Sequence, residues 1–178
     1  TAWADMRRAF VSAAVREVRD SLRVINPKLV LSAAVWPIWR NIPTWPTYSR
    51  GYDDYFQDPR AWAREGTLDV AAPMTYPASS TSTSYVVKSR ECDPLDWVCL
   101  LVDHKNAIEG GAGRHVYIGV GAIKGKDETL LQIQKGREKG TTGFSVYSFS
   151  QVDAFAGWSI LGDGPFRYPA TIPVMSWK

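Results

Sequence analysis

Residues 69–76 read DVAAPMTY, a short run of small and apolar residues that follows the Gly66 stop of a helical pattern. A run this short, apolar along its length instead of alternating, suits a strand buried on both faces in a parallel sheet covered by helices. Three other segments read the same way. They are 29–36 (LVLSAAVW), bounded by Pro27 and Pro37, then 116–122 (VYIGVGA) and 143–149 (GFSVYSF).

Helical patterns separate these strands. Met6, Phe10, Val11, Ala14, Val15, Val18 and Leu22 recur at three- and four-residue intervals before the first, and Asn26-Pro27 ends that helix. Asp58-Pro59 opens the next as cap and first helical residue, and Gly66 closes it. Asp93-Pro94 starts a third, with Leu95, Val98, Leu101 and Val102 as its buried stripe and Gly110-Gly111 as its end. Asp127 caps a fourth that runs through Lys139 to Gly140, and a short last helix covers 151–161. The Ser/Thr-rich stretch 78–84 has no period and reads as a loop, and so does the Pro-rich tail. The chain divides into an α/β body, 1–163, and a tail, 164–178.

Alternating strands and helices leave two architectures: a doubly wound open sheet or a run of barrel units. A doubly wound nucleotide binder carries a Gly-rich turn after a strand to hold phosphate at a helix N-terminus. The nearest candidate, Gly119 to Lys126, keeps its glycines inside the strand and has no Ser or Thr after the lysine. Barrel interiors accept small residues at such positions, so four βα units of a (β/α)8 TIM-type barrel are the preferred reading. The doubly wound domain, binding a phosphorylated ligand at that segment, is the alternative.

Composition narrows the partners. With 45% apolar residues, 8 Trp and 8 Tyr in 178 positions, the chain can bury a core. The 21 basic residues against 18 acidic ones are scattered, which argues against nucleic acid and anionic lipid. No apolar run reaches the roughly 20 residues of a membrane span. His104 and His115 lack ligand spacing, so neither a metal site nor a cofactor is expected. Cys92 and Cys99 are either a disulfide or two thiols.

The stretch WADMRRAFVSAAVREVRDSLRVINPKLVLSAAVWPIWR, the block DPRAWAREGTLDVAAPMTYP, the strand GFSVYSFS and the ending IPVMSWK resemble the glycosyl-hydrolase-like family 10 proteins. The most specific parts are Trp62 to Asp69 with the Ala72 to Tyr76 strand end, and the tail closing on Trp177. The resemblance implies a bacterial (β/α)8 glycoside hydrolase-like protein of the cell exterior or envelope. It makes these strands the fifth to the eighth, and it puts an essential acid at the end of the fourth, outside these residues. By that register the chain is a fragment, a processed piece, or a half-barrel completed by pairing. Four strands leave two unpaired edges, which a second copy related by two-fold symmetry would cover.

In barrel enzymes chemistry gathers at the carboxyl ends of the strands. Glycoside hydrolysis uses two carboxyl groups roughly 5–5.5 Å apart for retention and 6.5–9.5 Å for inversion. Asp58, Asp93 and Asp127 read as helix caps, and Glu128 as a complement to a helix dipole; Glu91 and Asp153 follow the second and fourth strands. Asp53 and Asp54, paired in the loop after the first strand and without a capping role, are the candidate catalytic residues, against the plainer reading of a solvated loop. Asp69 lies at the opposite end and reads as structural. Trp36, Trp39, Tyr76 and Tyr147, with Arg40 and Lys124, are the candidate saccharide-binding residues, because sugar C–H faces stack on aromatic rings while polar groups meet the hydroxyls. Phe149, Trp45 and Tyr48 are nearby aromatics, Phe149 more as packing, whereas Trp3, Trp62, Trp97 and Trp158 read as outer-shell residues on helices. The expected ligand is an oligo- or polysaccharide, either hydrolysed or simply bound.

Overall fold

The computed structural model describes residues 1–40, 48–81 and 92–178. Its strands are β1 (Ser32–Val35), β2 (Val70–Pro73), β3 (His115–Gly121) and β4 (Gly143–Tyr147). The helices are α1 (Ala2–Ile25), α2 (Gly51–Asp54), α3 (Pro59–Arg64), α4 (Trp97–His104), α5 (Lys126–Glu138), α6 (Phe149–Ala154) and α7 (Gly157–Asp163). Every neighbouring pair of strands is parallel, and their spatial order is β1-β2-β3-β4. Each crossover therefore steps the same way. A doubly wound sheet needs a reversal of strand order to open its ligand crevice, so that alternative falls. The fold is α/β with an open four-stranded sheet, half of a TIM-type barrel.

One face of the sheet carries the core. Val35, Ala71, Val116, Ile118 and Val120 are fully buried there, with Trp62, Leu68, Leu100, Leu101 and Ile133 packed from the helices and loops around them. β2 and β3 are buried along nearly their whole length, as expected, but edge strand β1 departs from that expectation, because Ser32 and Ala34 are exposed. By the register, Ser32, Ala34, Gly119 and Ser145 share the face opposite the core with Val70 and Tyr117.

The apolar stripe of α1 splits in the same manner. Val11 and Val15 pack on the core, and Ser12 Oγ accepts a 2.8 Å hydrogen bond from buried Trp62 Nε1. Phe10 and Val18 instead point outward, 65% and 50% exposed, so this helix has a second apolar side without cover among the described residues.

Several boundaries differ from the sequence reading for local reasons. Asp93 is not a helix cap: its carboxylate takes the Leu95 N–H at 2.8 Å in a turn, and Asp96 caps α4 through the Cys99 N–H at 3.0 Å. Gly125, at φ 86°, precedes α5, which places Asp127 in the first turn instead of at the cap. The last helix is two, broken where Ala156 adopts φ 53°. Trp97 is no outer-shell residue. It is wholly buried, and its Nε1 donates to the Gly119 carbonyl at 2.7 Å, because the β2–β3 ladder ends at Ala71 and leaves that carbonyl free.

The tail reaches the amino-terminal ends of the strands. Trp177 Nε1 donates to Asp69 at 2.8 Å, and Lys178 Nζ meets the other Asp69 oxygen at 2.7 Å and the Leu29 carbonyl at 2.7 Å. The Trp177 ring packs edge-on against His115 and under the Arg114 guanidinium. Burial opposes the Asp69 charge, but Lys178, the Leu31 N–H and Trp177 together hold its carboxyl below the ordinary value of 3.8. Asp69 thus fastens the floor of the sheet.

Candidate functional site

At the other end, the segments leaving β1 and β2 diverge and leave a pocket of about 440 Å³. Trp36, Pro37 and Ile38 come from the first, Met74, Tyr76 and Pro77 from the second, and Pro94-Leu95 from the turn before α4. Tyr48 and Ser49 complete the lining among the described residues.

Backbone contacts hold the β1 side. Gly51 N–H and Tyr52 N–H donate to the Ile38 and Trp39 carbonyls, each at 2.7 Å, while Trp36 N–H donates to the Gln57 side chain at 2.9 Å. A Cβ on Gly51 would lie 3.1 Å from Trp36 Cβ, so the close approach of α2 to this segment favours glycine. Phe56 sits in the left-handed region at φ 58°, an unfavourable conformation for a residue with a bulky side chain. That turn connects Tyr55, stacked on Trp36 at 4.2 Å between centroids, to Gln57.

The β2 side depends on missing side chains in β3. A Cβ on Gly121 would stand 2.1 Å from the Tyr76 carbonyl oxygen, and one on Gly119 would stand 2.4 Å from that of Pro73. The glycines therefore let the chain from Pro73 to Tyr76 pass directly over β3. Thr75 fixes the crossing by donating to the Gly119 carbonyl at 2.7 Å. Tyr76 then stacks on half-exposed Tyr147 at the end of β4, 4.6 Å between centroids.

Two further contacts stiffen the loops. Glu128 accepts from Ser80 N–H at 2.6 Å, from Ser80 Oγ at 3.0 Å and from Gln132 at 2.8 Å, which ties the loop after β2 to α5. Cys92 and Cys99 form a disulfide, their Cα atoms 5.4 Å apart, across the turn that carries Pro94 and Leu95. The sequence had left this pairing open.

The candidate residues separate into groups. Trp36 and Tyr76 line the pocket, and Tyr147 joins it through the tyrosine stack. Trp39 and Arg40 belong to another cluster: the Arg60 guanidinium lies 4.1 Å from the Trp39 ring, and those of Arg40 and Arg8 lie 4.4 and 4.0 Å from Tyr52. Lys124 is exposed in the turn after β3, away from the pocket lining. Phe149 packs on Trp158 beyond β4.

The acids also fall outside the lining. Asp54 holds Arg50 by a two-pronged pair, Nε at 2.9 Å and Nη2 at 2.8 Å, and the guanidinium keeps its carboxyl below 3.8 against the opposing effect of burial. An acid held ionised in this way is a poor proton donor. Asp53 shares the same short helix. Asp58 caps α3 through the Ala61 N–H at 3.1 Å. Trp45 and Glu91 lie outside the described residues. Among the described residues no group of His, Cys, Asp and Glu could hold a metal, and no helix is long and apolar enough to cross a membrane.

An open run of βα units with an aromatic-walled pocket at its strand ends defines a partial TIM-type barrel, with the pocket on the face where such barrels hold their ligands. The chain belongs to the glycosyl hydrolase-like 10 family, whose model matches residues 1–95. It is 26% identical over 194 aligned positions to the glycosyl hydrolase YngK of Bacillus subtilis, covering 97% of this chain and 35% of that protein. The glycosyl hydrolase DigH of Escherichia coli K12 is 31% identical over 93 positions, 49% of this chain and 21% of DigH. The chain thus spans about a third or less of the relatives it matches.

Proposed function

We propose that this domain binds an oligo- or polysaccharide across Tyr76 and Tyr147, with Trp36 on the far wall of the adjoining pocket. The stacked tyrosines at the carboxyl ends of two parallel strands carry the reading. Each ring leaves one face uncovered by the other, and such a face suits the C–H face of a sugar. Family membership supports the same ligand class. Calorimetric titration with neutral glucan, xylan and chitin oligosaccharides tests it; heats equal to buffer dilution throughout would overturn the reading.

Hydrolysis of an O-glycosyl bond requires a second carboxyl group near the first. In this reading Asp53 or Asp54 supplies at most one, as a carboxylate, and the partner acid comes from a strand outside these residues. Reducing-end release by the assembled barrel, lost in Asp53→Asn or Asp54→Asn, is the expected result; full release by both variants removes those residues from the chemistry. Arg40 and Lys124 would meet only a ligand long enough to leave the pocket.

The open edges of β1 and β4 call for further strands. For the isolated 178-residue chain a second copy is the proposed source, and light scattering that returned a stable monomer would count against it. The disulfide supports an oxidising location, outside the cell or in its envelope.

A further inference from the structure

The pocket next to the tyrosine platform has a composition that a bare sugar does not satisfy. Its walls are Trp36, Pro37, Ile38, Met74, Pro77, Pro94 and Leu95, with Tyr48, Ser49 and Tyr76 as the residues whose side chains carry hydroxyls. Three of these residues are prolines, which have no backbone N–H to donate. A sugar ring placed inside would lose water hydrogen bonds from most of its hydroxyls with few replacements. An alkyl or aryl group would lose none.

Two stretches of the wall are tied down by bonds of their own. Pro94 and Leu95 are held by the disulfide, by the Asp93 carboxylate on the Leu95 N–H, and by the Leu95 carbonyl accepting from Ser79 N–H at 2.9 Å. Pro37 is anchored from below, where buried His104 Nε2 hydrogen-bonds its carbonyl at 2.8 Å. At about 440 Å³ the space lies within the range of small-molecule sites and is large enough for a phenyl ring or a short alkyl chain.

Tyr76 belongs both to this pocket and to the stack with Tyr147. A ligand lying on the platform therefore has its neighbouring group at the pocket mouth. We infer that the site is selective for saccharides bearing an apolar alkyl or aryl substituent, which enters the pocket while the sugar packs against the Tyr76–Tyr147 pair. This specificity rests on the saccharide reading above.

The test compares methyl and phenyl glycosides of the same sugars, glucose, galactose, mannose, xylose and N-acetylglucosamine, with phenol alone, by calorimetry and ligand-observed NMR. The expected result is a phenyl glycoside binding about tenfold or more tightly than its methyl counterpart, from burial of the ring. Leu95→Arg should abolish that advantage and Leu95→Met should keep it, with both variants showing wild-type circular dichroism. Equal affinity of the methyl and phenyl forms would overturn the apolar selectivity and leave the saccharide reading intact. Phenol binding that is sensitive to Leu95→Arg, with no gain from any attached sugar, would overturn the saccharide reading. Binding of no probe would overturn both.

Discussion

Tyr76 lies three residues beyond β2 and Tyr147 ends β4, yet they lie ring on ring, with planes 21° from parallel and Tyr147 half exposed. Tyr76 is placed by its passage over β3, whereas Tyr147 simply stands at the rim. Tyr147→Ala should accordingly weaken saccharide binding about tenfold, the scale of an aromatic stacking contact, and leave the thermal midpoint nearly unchanged. Calorimetry beside a melting curve checks both halves; unchanged affinity would remove the platform from the site.

Gly121→Ala tests the crossing itself. The added Cβ would meet the Tyr76 carbonyl carbon and oxygen, backbone atoms that can move only by lifting the strand end. A loss of about 1–3 kcal/mol in urea denaturation is expected, together with weaker sugar binding. Gly110→Ala, where a Cβ would meet nothing within 4 Å, is the control.

Trp97→Phe should cost about 2 kcal/mol. It removes the indole donor to Gly119 and leaves a space beside a fully buried site. Thr75 would remain as a donor to that carbonyl, so the double variant with Thr75→Val should lose more than either alone.

His104 predicts a pH dependence. Its wholly buried ring is kept neutral by desolvation, below the ordinary 6.5, although Asp103 and the Pro37 carbonyl favour its charged form. The unfolded chain then binds the proton more readily. Stability from this group is complete above pH 6.5 and is lost progressively as pH falls below it. Denaturation midpoints measured between pH 8 and pH 5 should decline, and His104→Gln should flatten that decline.

Asp69 acts at lower pH. Its carboxyl titrates below 3.8 in the folded chain, so its stabilisation is present above that value and vanishes as pH falls through the lowered one. Asp69→Asn should lose about 1–3 kcal/mol at neutral pH, read by urea denaturation, and should lessen the acid sensitivity.

Strand and helix order was legible because each strand is a short apolar run between helix stops, and local chemistry alone marks those. The positions of Trp36 and Tyr76 just past strand ends were legible for the same reason, since such a position needs only the strand, and the pocket lies there. Trp39 and Arg40 share that position but turn toward Arg60 and Tyr52, a direction set by α2 and α3 and invisible in a linear pattern. Trp97 was misplaced because a helical Trp reads as shell unless one knows that β2 leaves β3 early. The glycines of β3 were seen as tolerated small residues, whereas the fold requires them beneath Tyr76.

Trp177 and Asp69 are 108 positions apart, and Lys178 closes on the same carboxylate. A ribosome releases the chain in order, so Asp69 is made 108 positions before the indole that seals it. Until then that carboxylate has only solvent and nearby backbone as company. Replacing Trp177 or Lys178 should therefore be felt at the foot of a strand that was made long before them.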